Sequence, residues 1–357
     1  MKVHELFGVL DSIAPFKDSE DWDNTGLLVG DMQSEVTGVL TTLDCSMETV
    51  EEARQNDINV VVAHHPLIFP KTSSVTEAGT GAIIRSLIKN DINLIAMHTN
   101  LDHQPRGVSH MIAERLGFHD TEVLIRHEAS YKKLRVNIPA EDRGQLKSDL
   151  AKAGVGRQGD YTDCFFEYPV KGQFRPGGDA NPHIGARGEL ENVDEYIVEA
   201  IYDPAIENHV VEALVESHPY EEPAFDILSI HKPGEKGLGV LFDYEGTMDD
   251  LVSLIEEKTG LSVVNTVRGS DKPIRRVAVI GGSGMSYING AFARGADVLL
   301  TGDVKYHEAY DAKLAGRNII DTGHYMEHVM AEGLKILIEE QLDIRVKATQ
   351  SSTNPFS

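Results

Sequence analysis

The spacing of apolar positions changes character along this chain. Residues 2–14 place Val3, Leu6, Phe7, Leu10 and Ile13 at helical intervals, so an amphipathic helix is expected there. Val36–Leu43 reads as a strand and Met47–Asn56 as a helix. Ile58–Ala63 (INVVVA) and Ile92–Met97 (INLIAM) are unbroken apolar runs, the pattern of strands buried on both faces of a parallel sheet. With the helical stretch Gly81–Lys89 between them they predict a right-handed βαβ unit. The last third returns to this style. Short strands at Arg276–Ile280, Asp297–Leu300 and Asn318–Ile320 alternate with helices near Tyr287–Arg294, Lys305–Leu314 and Tyr325–Gln341.

The middle differs. From about Tyr131 to Ile230 the order reads strand (LRVNI), helix (GQLKSDLAKAG), strand (CFFEYPV), strand (YIVEAIY), helix (NHVVEALVESH), strand (AFDILSI), the βαββαβ order of a ferredoxin-like domain. The stretch QFRPGGDANPHIGARGELENV inside it is too rich in Gly and Pro for regular structure, and HKPGEKGLG at 231–239 reads as a linker. The expectation is an α/β protein: a discontinuous α/β core of mixed or parallel sheets flanked by helices (1–128 and 236–357), with an inserted ferredoxin-like α+β domain (129–235).

Composition narrows the class. A chain of 357 residues exceeds what one compact core usually absorbs. Its 41% hydrophobic and 25% charged residues are ordinary for a soluble protein. No apolar run approaches the roughly 20 residues that span a bilayer, and MKVHELFGVLDSIAP lacks the apolar centre of a signal peptide. The chain has only two cysteines, Cys45 and Cys164, far apart, which fits a reducing, cytoplasmic setting and argues against thiolate zinc chemistry. A formal net charge of −24 argues against nonspecific nucleic-acid binding. A small anionic substrate is compatible with that charge if metal ions supply local positive charge.

The candidate chemistry sits at strand ends. VVVAHHP (60–66) closes a buried strand with His64 and His65, and in open α/β sheets ligands bind beyond the carboxyl ends of strands. Neighbours on an extended strand point to opposite faces, so both serve one site only where the chain turns; otherwise one is functional and the other caps. The next strand ends in AMHTNLD, which brings His98 and Asp102 to the same rim, although a lone Asp in a loop also suits a turn. In IIDTGHYMEH a strand ends at Asp321, Gly323 permits a tight turn, and His324 and Glu327 share the first turn of the helix that follows. Capping would also explain Glu327 there. Three histidines and two carboxylates from three strand ends suit two metal ions better than one. Nitrogen and oxygen donors fit two divalent ions per subunit, zinc first, then manganese, iron or cobalt. Two such ions roughly 3.5–4 Å apart would bridge a hydroxide nucleophile.

Five motifs in order, WDNTGLLVGD (22–31), VVVAHHPLIF (60–69), AMHTNLD (96–102), TGDVKYHEA (301–309) and DTGHYMEH (321–328), resemble the Nif-three-like family, whose bacterial members are labelled GTP cyclohydrolase I type 2 homologues. HPYEEPAFDI (218–227) resembles the PII-like insert of its long bacterial members. The resemblance implies a dinuclear metal centre with His64, His65, Asp102, His324 and Glu327 as ligands, Glu327 or Asp102 bridging. It places His98 and His307 in the same cavity, as candidates for proton transfer or for supporting the ligands from behind. It also implies a toroidal homohexamer. The expected function is a metal-dependent hydrolase of a nucleotide-like or small phosphorylated substrate; the alternative is a metal-binding regulatory or scaffold protein whose insert senses a ligand or partner. Other signals have simpler readings. IGGSG (280–284) lacks the spacing of a nucleotide-binding loop and reads as a tight turn. Asp303 reads as a helix cap, Trp22 as core, Asp23 and Asn24 as an Asx turn or substrate contacts, and His218 with Tyr220 as turn structure around Pro219.

Overall fold

The computed structural model describes residues 1–69 and 72–356. The chain divides into two compact units, Met1–His127 with Glu235–Ser357, and Glu128–Gly234. The strands in chain order are β1 (Gly26–Val29), β2 (Val39–Thr42), β3 (Val60–Ala63), β4 (Asn93–Ala96), β5 (Glu122–Pro139), β6 (Phe166–Phe174), β7 (Glu191–Tyr202), β8 (Phe225–Gly246), β9 (Asn265–Val267), β10 (Ile274–Val279), β11 (Val298–Thr301), β12 (Asn318–Asp321) and β13 (Val346–Ala348).

The first unit holds two mixed sheets. One runs β1-β4-β3-β2-β13, with β2, β3, β4 and β13 parallel and β1 antiparallel at the edge. The other contains β8-β10-β11-β12-β9, with β10, β11 and β12 parallel. Every residue of β2, β3, β4, β11 and β12 is buried, which is why these segments read as continuous apolar runs rather than alternating ones. Helix Val3–Ile13 buries Val3, Leu6 and Leu10 along one stripe. With Val108–Leu116 and Met330–Glu339 it shares one core with Val60, Val62 and Ile95 of the first sheet and Val277, Val298 and Ile320 of the second. Both sheets are thus braced by the same helices, so their strand ends keep fixed positions. Among the described residues, no helix is long and apolar enough to cross a membrane.

In the second unit, β6, β7 and β5 form antiparallel pairs in that order. Helices Arg143–Lys152 and Glu207–Ser217 pack through Leu146, Leu150, Val210 and Leu214 onto Leu134, Val136 and Val198.

Two expectations are corrected. The segment 231–239 is extended strand, part of the 22-residue β8. Its glycines answer to close packing: a Cβ on Gly237 would lie 2.0 Å from the Ile125 carbonyl, and its N–H donates to His103 O at 2.9 Å. The long helix expected at Tyr325–Gln341 is divided. His324–Val329 forms 3₁₀ turns, and the α-helix covers Met330–Glu339.

Candidate metal centre

Each candidate ligand lies where a strand has just ended. After β3 the chain bends, and His64 N–H and His65 N–H donate to the carbonyls of Thr42, the last residue of β2, and Leu43 just beyond it. That bend lets two consecutive side chains serve one site. His98 follows β4 and precedes the short helix Thr99–Asp102, which presents Asp102. His324 and Glu327 follow β12; in 3₁₀ geometry residues three apart eclipse, and His324 Nε2 lies 3.1 Å from Glu327 Oε2.

The ring nitrogens are sorted into two roles. Every Nδ1 meets an acceptor: His64 donates to the Met97 carbonyl (2.8 Å), His65 to Asp44 (2.7 Å), His98 to Asp23 (2.9 Å) and His324 to Asp303 (2.7 Å). Those bonds turn the Nε2 atoms of His64, His65 and His324 toward Glu327. His65 Nε2 lies 3.2 Å from Glu327 Oε2 and 3.3 Å from His324 Nε2, while His64 Nε2 lies 3.9 Å from Glu327 Oε1 and 3.7 Å from Asp102 Oδ1. His64 Nε2 is buried without a hydrogen-bond partner among the described residues.

These contacts resolve into three sets able to hold an ion: His65/His324/Glu327, His64/Asp102/Glu327 and His64/His65/His98. Donors about 2.0–2.1 Å from one tetrahedral ion stand about 3.3 Å from each other. The first set, at 3.1, 3.2 and 3.3 Å, has that spacing already. The His64 nitrogen without a partner among the described residues, the buried Glu327 and the half-buried Asp102 make the second set suited to a cation as well.

Electrostatics follow from burial against pairing. Burial pushes His64 down to about 3, against the pull of Glu327, so it is neutral and ligand-ready. For His65 burial is outweighed by hydrogen bonds to Asp44 and Glu327, which lift it to about 10. His324 rises to about 9 through its bond to Glu327, opposed by burial. Burial of Glu327 is overcome by His324 and His65, which hold its carboxyl well below the ordinary range. Asp102 goes the other way: burial and then the Glu327 charge push it well above.

Several residues take parts that strand-by-strand reading missed. Asp303 orients His324 and is not the cap of the next helix, whose N-cap is Lys305. Asp44 and Asp23 orient His65 and His98, and Asp23 also accepts from Thr99 N–H and Oγ1. The signal for Asp44 and Asp303 was present, since each stands two residues beyond a buried strand. The glycines of IGGSG make room for the cluster: a Cβ on Gly281 or Gly282 would come within 2.9 or 3.0 Å of Glu327 Oε1. Trp22, expected in the core, is 60% exposed, and its ring sits edge-on to Phe69 and His98 at centroid distances of 5.9 and 6.2 Å. His307 is exposed on the helix Tyr306–Leu314 and joins none of the three sets. His328 bonds the Tyr325 carbonyl.

Two outcomes follow. Replacing Asp44 or Asp303 by Asn should weaken metal binding about 10–100-fold without unfolding the protein, as read by competition with a chromophoric chelator. Because His65 and His324 carry protons in the metal-free protein, ion uptake must expel them. Apparent zinc affinity should therefore rise with pH between about 6 and 8, with protons released into the buffer in calorimetry. A flat profile would contradict the assignment.

The chain is similar along its whole length to known proteins. Residues 1–355 match the model of the Duf34/NIF3 (NGG1p interacting factor 3) family. A Staphylococcus aureus (strain MRSA252) protein named GTP cyclohydrolase 1 type 2 homolog is 43% identical over 363 aligned positions, covering 100% of this chain and 99% of that one. A Staphylococcus epidermidis (strain ATCC 12228 / FDA PCI 1200) protein of the same name is 40% identical with the same coverage. Among solved structures, a Staphylococcus aureus protein superposes with a TM-score of 0.88 at 40% identity, covering 100% of this chain and 98% of that one. A Bacillus cereus protein related to NIF3 gives 0.80 at 36% identity, covering 100% and 99%. The chain belongs to the Duf34/NIF3 family.

Proposed function

We propose that this protein is a dinuclear divalent-metal hydrolase acting on a nucleotide-like or other small phosphorylated substrate, with His64, His65, Asp102, His324 and Glu327 holding the two ions. The observation that carries the reading is the division of Glu327: Oε2 faces His65 and His324, and Oε1 faces His64 in the set with Asp102. One carboxylate common to two donor sets is the arrangement a bridging ligand requires. Histidine and carboxylate donors without thiolate favour zinc, with manganese, iron or cobalt as the other candidates. Bound there, two divalent ions would polarise a substrate oxygen and make a water-derived nucleophile available at neutral pH.

The chain's own residues do the rest. Asp23 fixes the tautomer of His98 through Nδ1, leaving Nε2 as the atom that takes or delivers a proton beside the cluster. We assign that role to His98 rather than to His307, which is exposed and outside the cluster. Trp22 and Phe69, both largely exposed and both edge-on to His98, offer faces on which a planar ring can stack. A heterocyclic substrate class agrees with the name carried by the staphylococcal relatives. On the family resemblance, the working assembly is a homohexamer.

Metal analysis tests the site first. Wild type should bind two equivalents of zinc, and His65→Ala and Glu327→Ala should each lose at least one; full retention in both would sink the assignment. In the loaded protein, Asp102→Ala should abolish turnover of nucleotides or phosphoesters. Tight metal binding with no turnover across a broad panel would instead favour the regulatory reading. Trp22 is the sole tryptophan, so its fluorescence reports the wall directly. Guanosine nucleotides should quench it and ribose 5-phosphate should not, while Phe69→Ala should weaken the nucleotide response several-fold.

A further inference from the structure

The second unit contains a cavity of about 540 Å³ that has no part in the metal cluster. Small-molecule sites commonly enclose about 300–1,000 Å³. Its floor is Glu195 on β7, only 5% exposed. Glu195 Oε1 accepts from the Tyr220 hydroxyl at 2.8 Å and Oε2 from Asn137 Nδ2 at 3.2 Å, its side-chain partners among the described residues. Both donors are neutral, so neither supplies a counter-charge. A carboxylate has about four acceptor positions, and two are used. β6, paired with β7, accommodates this carboxylate through Gly172, where a Cβ would fall 2.7 Å from Oε2.

The walls are aromatic and acidic. The Tyr220 ring lies 6.2 Å from Phe174 and 6.1 Å from His183, centroid to centroid. Asp179, Glu221 and Glu222 also line the space, and among the described residues no Lys or Arg does. The surroundings are held in place. His218 Nε2 donates to the Asn137 carbonyl at 2.7 Å, and its Nδ1 accepts the Tyr220 N–H at 3.0 Å, so the turn at Pro219 aims Tyr220 at Glu195. The Asn181 N–H donates to Glu221 at 2.8 Å, tying the Gly- and Pro-rich loop beside the opening. A buried carboxylate satisfied only by neutral donors is costly until a cation pairs with it, and aromatic faces attract the same charge.

We propose that this cavity binds a small organic cation, an amine or amidine carrying an aromatic or apolar body, with its charged head on Glu195 and its body against Phe174 and Tyr220. An anion meets four carboxylates there, and a neutral molecule leaves the Glu195 charge unpaired. None of the residues lining it belongs to the three sets able to hold an ion.

Calorimetry on the full-length protein tests it, with phenethylamine, benzamidine and agmatine as probes and phenylacetate and 2-phenylethanol as controls of matched shape. At least one cationic probe should bind, and each control should bind about tenfold more weakly or not at all. Glu195→Gln, which keeps a side chain of equal size, should lower affinity for the cation at least about tenfold while zinc content stays at the wild-type value. If that variant fails to fold, Phe174→Leu on the wall replaces it and should lower affinity for the aromatic probes several-fold. Absence of cation binding at millimolar concentration, equal binding of the anion, or unchanged affinity in the variants that fold would overturn the proposal.

Discussion

A carboxylate almost wholly removed from water, Glu327, is the constraint on which the candidate centre depends. Alone, such a group would protonate or disrupt its surroundings. It stays ionised because His65 and His324 donate to it and because each of these imidazoles is backed by a second carboxylate, Asp44 and Asp303. The result is a layered charge network, acid on imidazole on acid, in which every inward nitrogen is fixed by an outward bond. Gly281 and Gly282 belong to the same constraint, since side chains there would occupy the space that Oε1 needs.

The two-sheet core explains how such a network is assembled. β3 and β4 deliver His64, His65, His98 and Asp102 from one sheet, and β12 delivers His324 and Glu327 from the other. These groups are separated by more than two hundred positions in sequence, with the second unit interposed. Helices Val3–Ile13, Val108–Leu116 and Met330–Glu339 share one core with both sheets. That packing allows hydrogen bonds as short as 2.7 Å to be held at the strand ends.

Much of this was legible in the sequence, for a physical reason. Fully buried parallel strands must be apolar throughout, so a polar residue at their ends stands out; His64, His65, His98 and Asp102 were read that way. Asp44 and Asp303 obey the same rule but were passed over, because an Asp near a turn or helix start has a ready local explanation. Asp303 adopts a positive φ of 54°, a backbone cost consistent with its reaching His324 instead of capping its own helix. Glycine misled in 231–239, where it marks the close approach of a carbonyl; in IGGSG the expected turn is present, with Gly282 at a φ of 59°, and the same glycines also leave room for a carboxylate that a single chain cannot reveal. Trp22 reads as core on average hydrophobic behaviour, an average that does not hold for this ring, which is exposed beside Phe69 and His98.

The pairing of Glu327 and Asp102 carries the argument one step further. The two carboxylates share a set with His64, yet their protonation is pushed in opposite directions, Glu327 down and Asp102 up. In the metal-free protein the positive charge of His65 and His324 is spent on Glu327, and His64, neutral by burial, offers none to Asp102. The cluster is therefore balanced around one ion position and unbalanced around the other. On the His65/His324 side the protons sit on the imidazoles; on the His64/Asp102 side burial and the Glu327 charge favour the protonated acid, and His64 Nε2 has no hydrogen-bond partner among the described residues. The two positions thus differ in what they exchange for a cation. Binding at the first must displace protons from histidine, whereas binding at the second must displace the proton that burial and the Glu327 charge favour on Asp102. Two ions held by these sets would therefore occupy inequivalent positions even though both sets share the Glu327 carboxylate.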